Sequence, residues 1–150
     1  MAEAELAMRF PVSADKLWSA LTGPCMLQVM LDSYAASVDV EGENFGAGAV
    51  LVTTLRSGGV VREKIESIDG ADRCMKYRVL DAGPLPYAQY RGEARIQSGG
   101  PEASVASFRC NFVPVELSEA QAKPYWLDHN RRVMDTLRRV IAATVSQEPR

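Results

Sequence analysis

The chain has 150 residues, 47% of them hydrophobic and 24% charged, with a formal net charge of -2. That length suits one globular domain, residues 1–150, able to bury roughly 70% of its unfolded surface. The charge balance excludes nucleic acid as an expected partner: there is no basic footprint for a phosphate backbone, and Arg131, Arg132, Arg138 and Arg139 have Asp128 and Asp135 at helical spacing.

The N-terminus Met1-Ala2-Glu3-Ala4-Glu5 has no basic lead and no continuous apolar core. No run anywhere approaches the ~20 apolar residues of a membrane span. A cytoplasmic location is expected, and homodimerisation is left open. Cys25, Cys74 and Cys110 are odd in number and contain no C-x-x-C, which predicts reduced thiols and neither a disulfide framework nor a zinc site. With a single histidine and scattered carboxylates, no metal site is expected.

In chain order, Glu5 to Phe10 alternates Leu6, Met8 and Phe10 on one face, the pattern of a half-buried strand ended by Pro11. Ser13 caps a helix over Ala14 to Leu21, and Gly23-Pro24 separates it from a second short helix reaching about Leu31. Strands follow at Ala36 to Glu41, Ala49 to Leu55, Val60 to Ile68, Arg73 to Leu80, Tyr87 to Gln97 and Ser104 to Val113. Gly, Pro, Asp and Ser clusters punctuate them, and the seven strands are read in meander order. Ser118-Glu119-Ala120-Gln121 is a capping box that starts one long helix running to about Val145. Pro124 lies in its first turns and should kink or restart it. Beyond Pro124, the stripe Trp126, Asn130, Val133, Leu137, Val140, Ile141 and Thr144 should face the sheet, with the four arginines mainly solvated. The segment Gly42-x3-Gly46-Ala47-Gly48 has neither a following helix nor a closing Lys-Ser/Thr, so it is not a phosphate cradle.

The sequence Phe10-Pro11-Val12-Ser13-Ala14-Asp15-Lys16-Leu17-Trp18 resembles the SRPBCC superfamily. So do the glycine-rich Gly42 to Gly48, Val61 to Asp69, Tyr77-Arg78-Val79-Leu80 and Pro84-Leu85-Pro86-Tyr87. The resemblance covers essentially the whole chain and is nearest to the bacterial polyketide cyclase/dehydrase and lipid-transport branch, related in fold to START domains and the major birch pollen allergen. It implies an α+β helix-grip fold: a curved seven-stranded antiparallel sheet, two short helices and a long C-terminal helix enclosing a deep cavity for an apolar or aromatic ligand. Fold analogy alone does not choose among the activities such folds host.

Strand parity indicates which side chains face that cavity. Pairing Ser67 with Met75 puts Ile65 opposite Tyr77 and Glu63 opposite Val79. Val61, Glu63, Ile65, Met75, Tyr77 and Val79 then turn inward, while Arg62, Lys64, Glu66, Lys76 and Arg78 face water. Glu63 is the lone inward acid. Desolvation should raise its pKa into the range useful for proton transfer, unless it anchors a structural hydrogen bond to Tyr77 or to Arg91. In the sixth strand only one parity can face inward, and the more apolar set, Tyr90, Gly92, Ala94 and Ile96, is preferred, with Gly92 and Ala94 leaving room for a ligand. Phe108, Cys110 and Phe112 line the interior, Cys110 as a small apolar filler. His129, at the edge of the helical stripe, can shuttle protons near neutral pH if it points inward. Asn130 is an amide on an apolar stripe and needs a partner, such as a ligand carbonyl.

Two functions fit this set. In the first, the protein is an enzyme catalysing cofactor-independent cyclisation, dehydration or isomerisation of a polyketide-like or aromatic substrate. Glu63 is then the acid/base, Tyr77 orients a carbonyl, and His129 contacts the substrate; Tyr90, Phe108, Phe112, Trp126, Asn130 and Val133 bind it. In the second it carries a lipid or hydrophobic metabolite without chemistry. A weaker third reading is a partner-binding module working through an exposed Pro84-Leu85-Pro86 loop. Cavity size is expected at several hundred Å3, the usual scale of small-molecule sites.

Overall fold

A computed structural model describes residues 1–42 and 45–146. Residues 43 and 44 of the glycine-rich connection, and residues 147–150, lie outside the described residues. The elements in order are β1 (Ala2–Phe10), α1 (Ala14–Leu21), α2 (Cys25–Ser33), β2 (Ala35–Glu41), β3 (Val50–Leu55), β4 (Val60–Asp69), β5 (Cys74–Asp81), β6 (Tyr87–Gly100), β7 (Ala103–Pro114) and α3 (Glu119–Ser146). The strands form one antiparallel sheet in the order β1-β7-β6-β5-β4-β3-β2. Only β2 to β7 run as a meander. β1 pairs with β7 at the far edge, because α1 and α2 carry the chain from that edge across to β2. Together with α3 this is the helix-grip arrangement. No described helix is long and apolar enough to cross a membrane.

The helices start where their caps dictate. The Ser13 hydroxyl accepts the Lys16 N–H at 3.2 Å, and Leu17 and Leu21 of α1 are buried. At the head of α3, the Gln121 N–H donates to the Ser118 hydroxyl at 3.2 Å, and Gln121 Oε1 accepts the Ser118 N–H at 3.0 Å, so two otherwise orphaned donors are satisfied. The helix is continuous through Pro124 and does not restart there. So near the N-terminus, the missing N–H costs a single ladder bond that the rest of a 28-residue helix outweighs.

α3 lies against β1 and α2. Trp126, Val133, Leu137 and Ile141 are buried as the stripe requires, joined by Ala122, Met134 and Thr136, while Asn130 and Val140 are half-buried. Thr144 is exposed, since the last turn runs past the edge of the core. Arg131, Arg132 and Arg139 are exposed, but Arg138 is half-buried, contrary to the solvated role expected of it. It donates to the Arg9 carbonyl at 2.7 Å and places its guanidinium 5.5 Å from the Phe10 ring centroid, tying α3 to β1.

Two irregularities in the sheet decide what faces inward. Glu63 pairs with Val79 and Ile65 with Tyr77, but a bulge between Ile65 and Ser67 makes Ser67 pair with Lys76 rather than Met75, which sits opposite Ile68. In β6 the register shifts between Ala88 and Arg91, with Gln89 in the left-handed region at φ 52°. The extra residue lets both Tyr87 and Tyr90 be buried, so the strand does not follow a single parity.

Candidate functional site

A cavity of about 150 Å3 lies between the sheet and α3, closed at one side by α2. It is smaller than the several hundred Å3 expected, because aromatic rings occupy the space. Gly92 shows how. A Cβ at this position would collide with the Tyr77 ring, so the glycine makes room for Tyr77 and not for a ligand. The ring lies across the bare backbone of its direct cross-strand partner.

Period-two alternation in β4 and β5 puts Val61, Glu63, Ile65, Met75, Tyr77 and Val79 on the cavity wall. From the other strands come Tyr87, Tyr90 and Phe108, and from α3 Trp126, His129, Asn130, Val133 and Met134. Ala94, Ile96 and Cys110, expected to face inward, are buried but not on the wall, and of the catalytic and ligand-binding residues expected from the sequence Phe112 alone is not. It is wholly buried behind it, 4.7 Å from the Tyr87 ring centroid and 5.9 Å from that of Tyr90, bracing both. Leu85 turns inward onto the same wall, so the Pro84-Leu85-Pro86 loop does not display its leucine to a partner.

Three aromatic contributors escaped the sequence reading. Tyr34 comes from the junction between α2 and β2, Phe45 from the loop before β3, and Tyr87 from the bulged start of β6. Only the β6 positive-φ bulge left a trace, in the crowding of two tyrosines three residues apart. Junction residues have no period to read.

The polar groups of the cavity are few. The indole N–H of Trp126 donates to the Tyr90 hydroxyl at 2.7 Å, and the Tyr77 ring stacks on Tyr90 with centroids 6.5 Å apart. Tyr34 stands edge-on to His129, ring centroids 4.7 Å apart. Asn130 Nδ2 donates to the Trp126 carbonyl one turn back at 2.9 Å, so its amide is partly satisfied within the helix. The Tyr87 hydroxyl is buried without a partner among the described residues.

Burial governs the electrostatics, although Glu63, Tyr34, Tyr77 and His129 each keep some exposed surface. Glu63 is held by no hydrogen bond or ion pair among the described residues, and Arg91 is exposed on a strand position that faces away from it. Desolvation alone pushes its carboxyl up to about 7. The phenols of Tyr34 and Tyr77 are pushed well above their ordinary value, first by burial and then by the nearby Glu63 charge. His129 moves the opposite way. Burial, then the Arg132 guanidinium, lowers it to about 4, so it is neutral near pH 7 and does not shuttle protons there as its ordinary pKa implies. Burial raises the Cys110 thiol to about 11, as suits an apolar filler. The three cysteines are unpaired, and among the described residues no group of three or more His, Cys, Asp or Glu side chains gathers to hold a metal ion.

Solved structures share this architecture. XoxI from Bacillus cereus superposes with a TM-score of 0.80 at 19% identity, over 95% of this chain and 96% of that one. Norcoclaurine synthase from Thalictrum flavum, in complex with dopamine and hydroxybenzaldehyde, does so at 0.75 and 15% identity, over 99% of this chain and 88% of that one. A point mutant of that synthase, in complex with a transition-state analogue, gives 0.75 at 16% identity, over 95% and 94%. At such identities the likeness is one of fold. No curated protein matches the sequence. The profile of the family described as "Polyketide cyclase / dehydrase and lipid transport" matches residues 1–142, and the chain belongs to that family.

Proposed function

We propose that the protein binds a small, largely apolar molecule of about one ring in the cavity and moves a proton on it, with Glu63 as the acid/base. The observation that carries this reading is the state of Glu63: a carboxyl on an apolar wall, without a partner among the described residues, raised to about 7. A group at that value holds and releases a proton equally well near neutral pH, the condition general acid–base catalysis requires. Tyr77, its ring stacked on Tyr90, polarises a ligand carbonyl; His129, held neutral, and Asn130 contact the ligand from α3. The unpartnered Tyr87 hydroxyl supports a polar atom on the ligand, since buried polar groups seldom go without a partner. Cyclisation, dehydration or isomerisation are reactions that such a set promotes without a cofactor, the cavity walls supplying orientation.

The carrier reading is less well supported. A cavity of about 150 Å3 suits a molecule of about one ring better than a long acyl chain.

Proton transfer is tested by following loss of the α-proton signals of cyclohexanone in D2O by NMR. Protein should accelerate exchange over buffer, and Glu63→Gln should lower that acceleration roughly 100-fold or more. Exchange that is equally fast with the Gln variant would remove Glu63 from the chemistry.

A further inference from the structure

We propose that the cavity selects ring-bearing organic cations, an arylalkylammonium being the simplest, with the ammonium set against Glu63 and the ring among the aromatic walls. The inference rests on the reading of the cavity as the ligand site and adds the charge of the ligand.

Among the described lining residues there is one acid and no lysine or arginine. Every group that faces Glu63 from the neighbouring elements is uncharged near neutral pH. Tyr34 beyond α2, Tyr77 from β5 and Tyr90 from β6 are phenols whose ionisation burial suppresses; Thr53 from β3 does not titrate. His129 from α3 is the one other group able to carry charge, and burial together with Arg132 keeps it neutral. Arg62 and Lys64, the chain neighbours of Glu63, alternate onto the outer face of the sheet, where Arg62 pairs with Glu41 at 3.0 Å. The interior can therefore hold one charge of its own, and that charge is negative.

This fixes which ligands fit. An anionic ligand meets Glu63 as a like charge with no cation to offset it. A neutral ligand leaves the carboxylate as poorly solvated as before and gains nothing from its charge. An ammonium ion supplies the missing counter-charge, and the faces of Tyr34, Tyr77, Tyr90 and Trp126 add the attraction of aromatic rings for cations. A dry protein cavity of about 150 Å3 takes up benzene, which sets the ligand at one ring with a short arm. Pairing with the ammonium keeps Glu63 ionised, the form that accepts a proton.

Benzylamine, benzyl alcohol and benzoate are probes of nearly one shape and three charges. Calorimetric titration into the protein at pH 6 and pH 8 should rank protonated benzylamine at least about tenfold tighter than benzyl alcohol at pH 8, with benzoate unbound. With the Glu63 carboxyl at about 7, roughly one-tenth is ionised at pH 6 and nine-tenths at pH 8, so benzylamine affinity should fall about tenfold at the lower pH. Glu63→Gln should bring benzylamine to the level of benzyl alcohol and erase its pH dependence. Benzyl alcohol binding that the variant retains reports that the cavity is intact. If benzyl alcohol binds the native protein as tightly as benzylamine at pH 8, or if the Gln variant keeps the benzylamine affinity, the cation preference is wrong and the cavity reading stands. If none of the three probes binds, both fall.

Discussion

Replacing Glu63 by glutamine should change how stability depends on pH, and the size of the change follows from the site. The carboxyl has an ordinary value of 4.5 and about 7 in the folded protein. At about 1.4 kcal/mol per pH unit, keeping it ionised in the fold costs about 3 kcal/mol. Because the folded value is the higher one, its contribution is fully present below pH 4.5 and is lost as pH rises to 7. His129 has the opposite sign. Its value falls from 6.5 to about 4, so its contribution of similar size is present above pH 6.5 and is lost as pH falls to 4. Neither group is among the causes of the other's shift.

The two effects cancel across the interval they share. Between about pH 4.5 and 6.5 the folded protein carries one proton on Glu63 and none on His129, and the unfolded chain carries one on His129 and none on Glu63. The pair binds the same number of protons in both states, so it contributes almost no slope. Each single substitution unmasks the other group. Glu63→Gln should gain about 3 kcal/mol relative to the native protein between pH 4.5 and 8, a relative melting shift of roughly 6–12 °C for a chain of this size. His129→Phe should gain about as much relative to the native protein between pH 6.5 and 4. Urea unfolding of the three proteins at half-unit pH steps measures these differences, and groups elsewhere drop out of them. A Glu63→Gln difference that stays constant from pH 5 to 8 would show that water or a protein group solvates the carboxylate, and the site reading would fail.

Gly92→Ala should cost on the order of 1–3 kcal/mol, read as a lower urea midpoint, because its Cβ collides with the Tyr77 ring and the ring must swing toward the cavity; benzyl alcohol binding should weaken with it. Tyr87→Phe should be neutral or stabilising by up to about 1–2 kcal/mol in thermal melts of the ligand-free protein, since it deletes a buried hydroxyl with no partner among the described residues. A loss of more than about 1 kcal/mol would mean that this hydroxyl is bonded.

Period explains what the sequence revealed and what it hid. Glu63 was legible as an inward acid because Val61, Glu63 and Ile65 alternate onto the wall, and the register with β5 holds from Glu63 to Ile65 between the shifts on either side. The same logic failed at β6. One extra residue at Gln89 turned Tyr87 inward beside Tyr90, and no pattern of alternating polarity announces a bulge in advance. Tyr34 and Phe45 fall outside any strand or helix, so their place on the wall follows from how the connections fold back, a tertiary fact. Cavity size was hidden for a different reason. Gly92 reads as vacant space in one strand, but its cross-strand partner is Tyr77, and a glycine opposite an aromatic is a seat for the ring. His129 shows the same dependence on packing in its chemistry: residue type alone predicts a proton shuttle at neutral pH, whereas burial beside Tyr34 and the Arg132 charge make it neutral. Strand alternation therefore determines which groups of the regular strands reach the cavity wall, bulges and connections add others, and the neighbours each one meets there determine its charge. Glu63 is left without a counter-charge because it meets no cation among the described residues, and a cationic ligand would supply one.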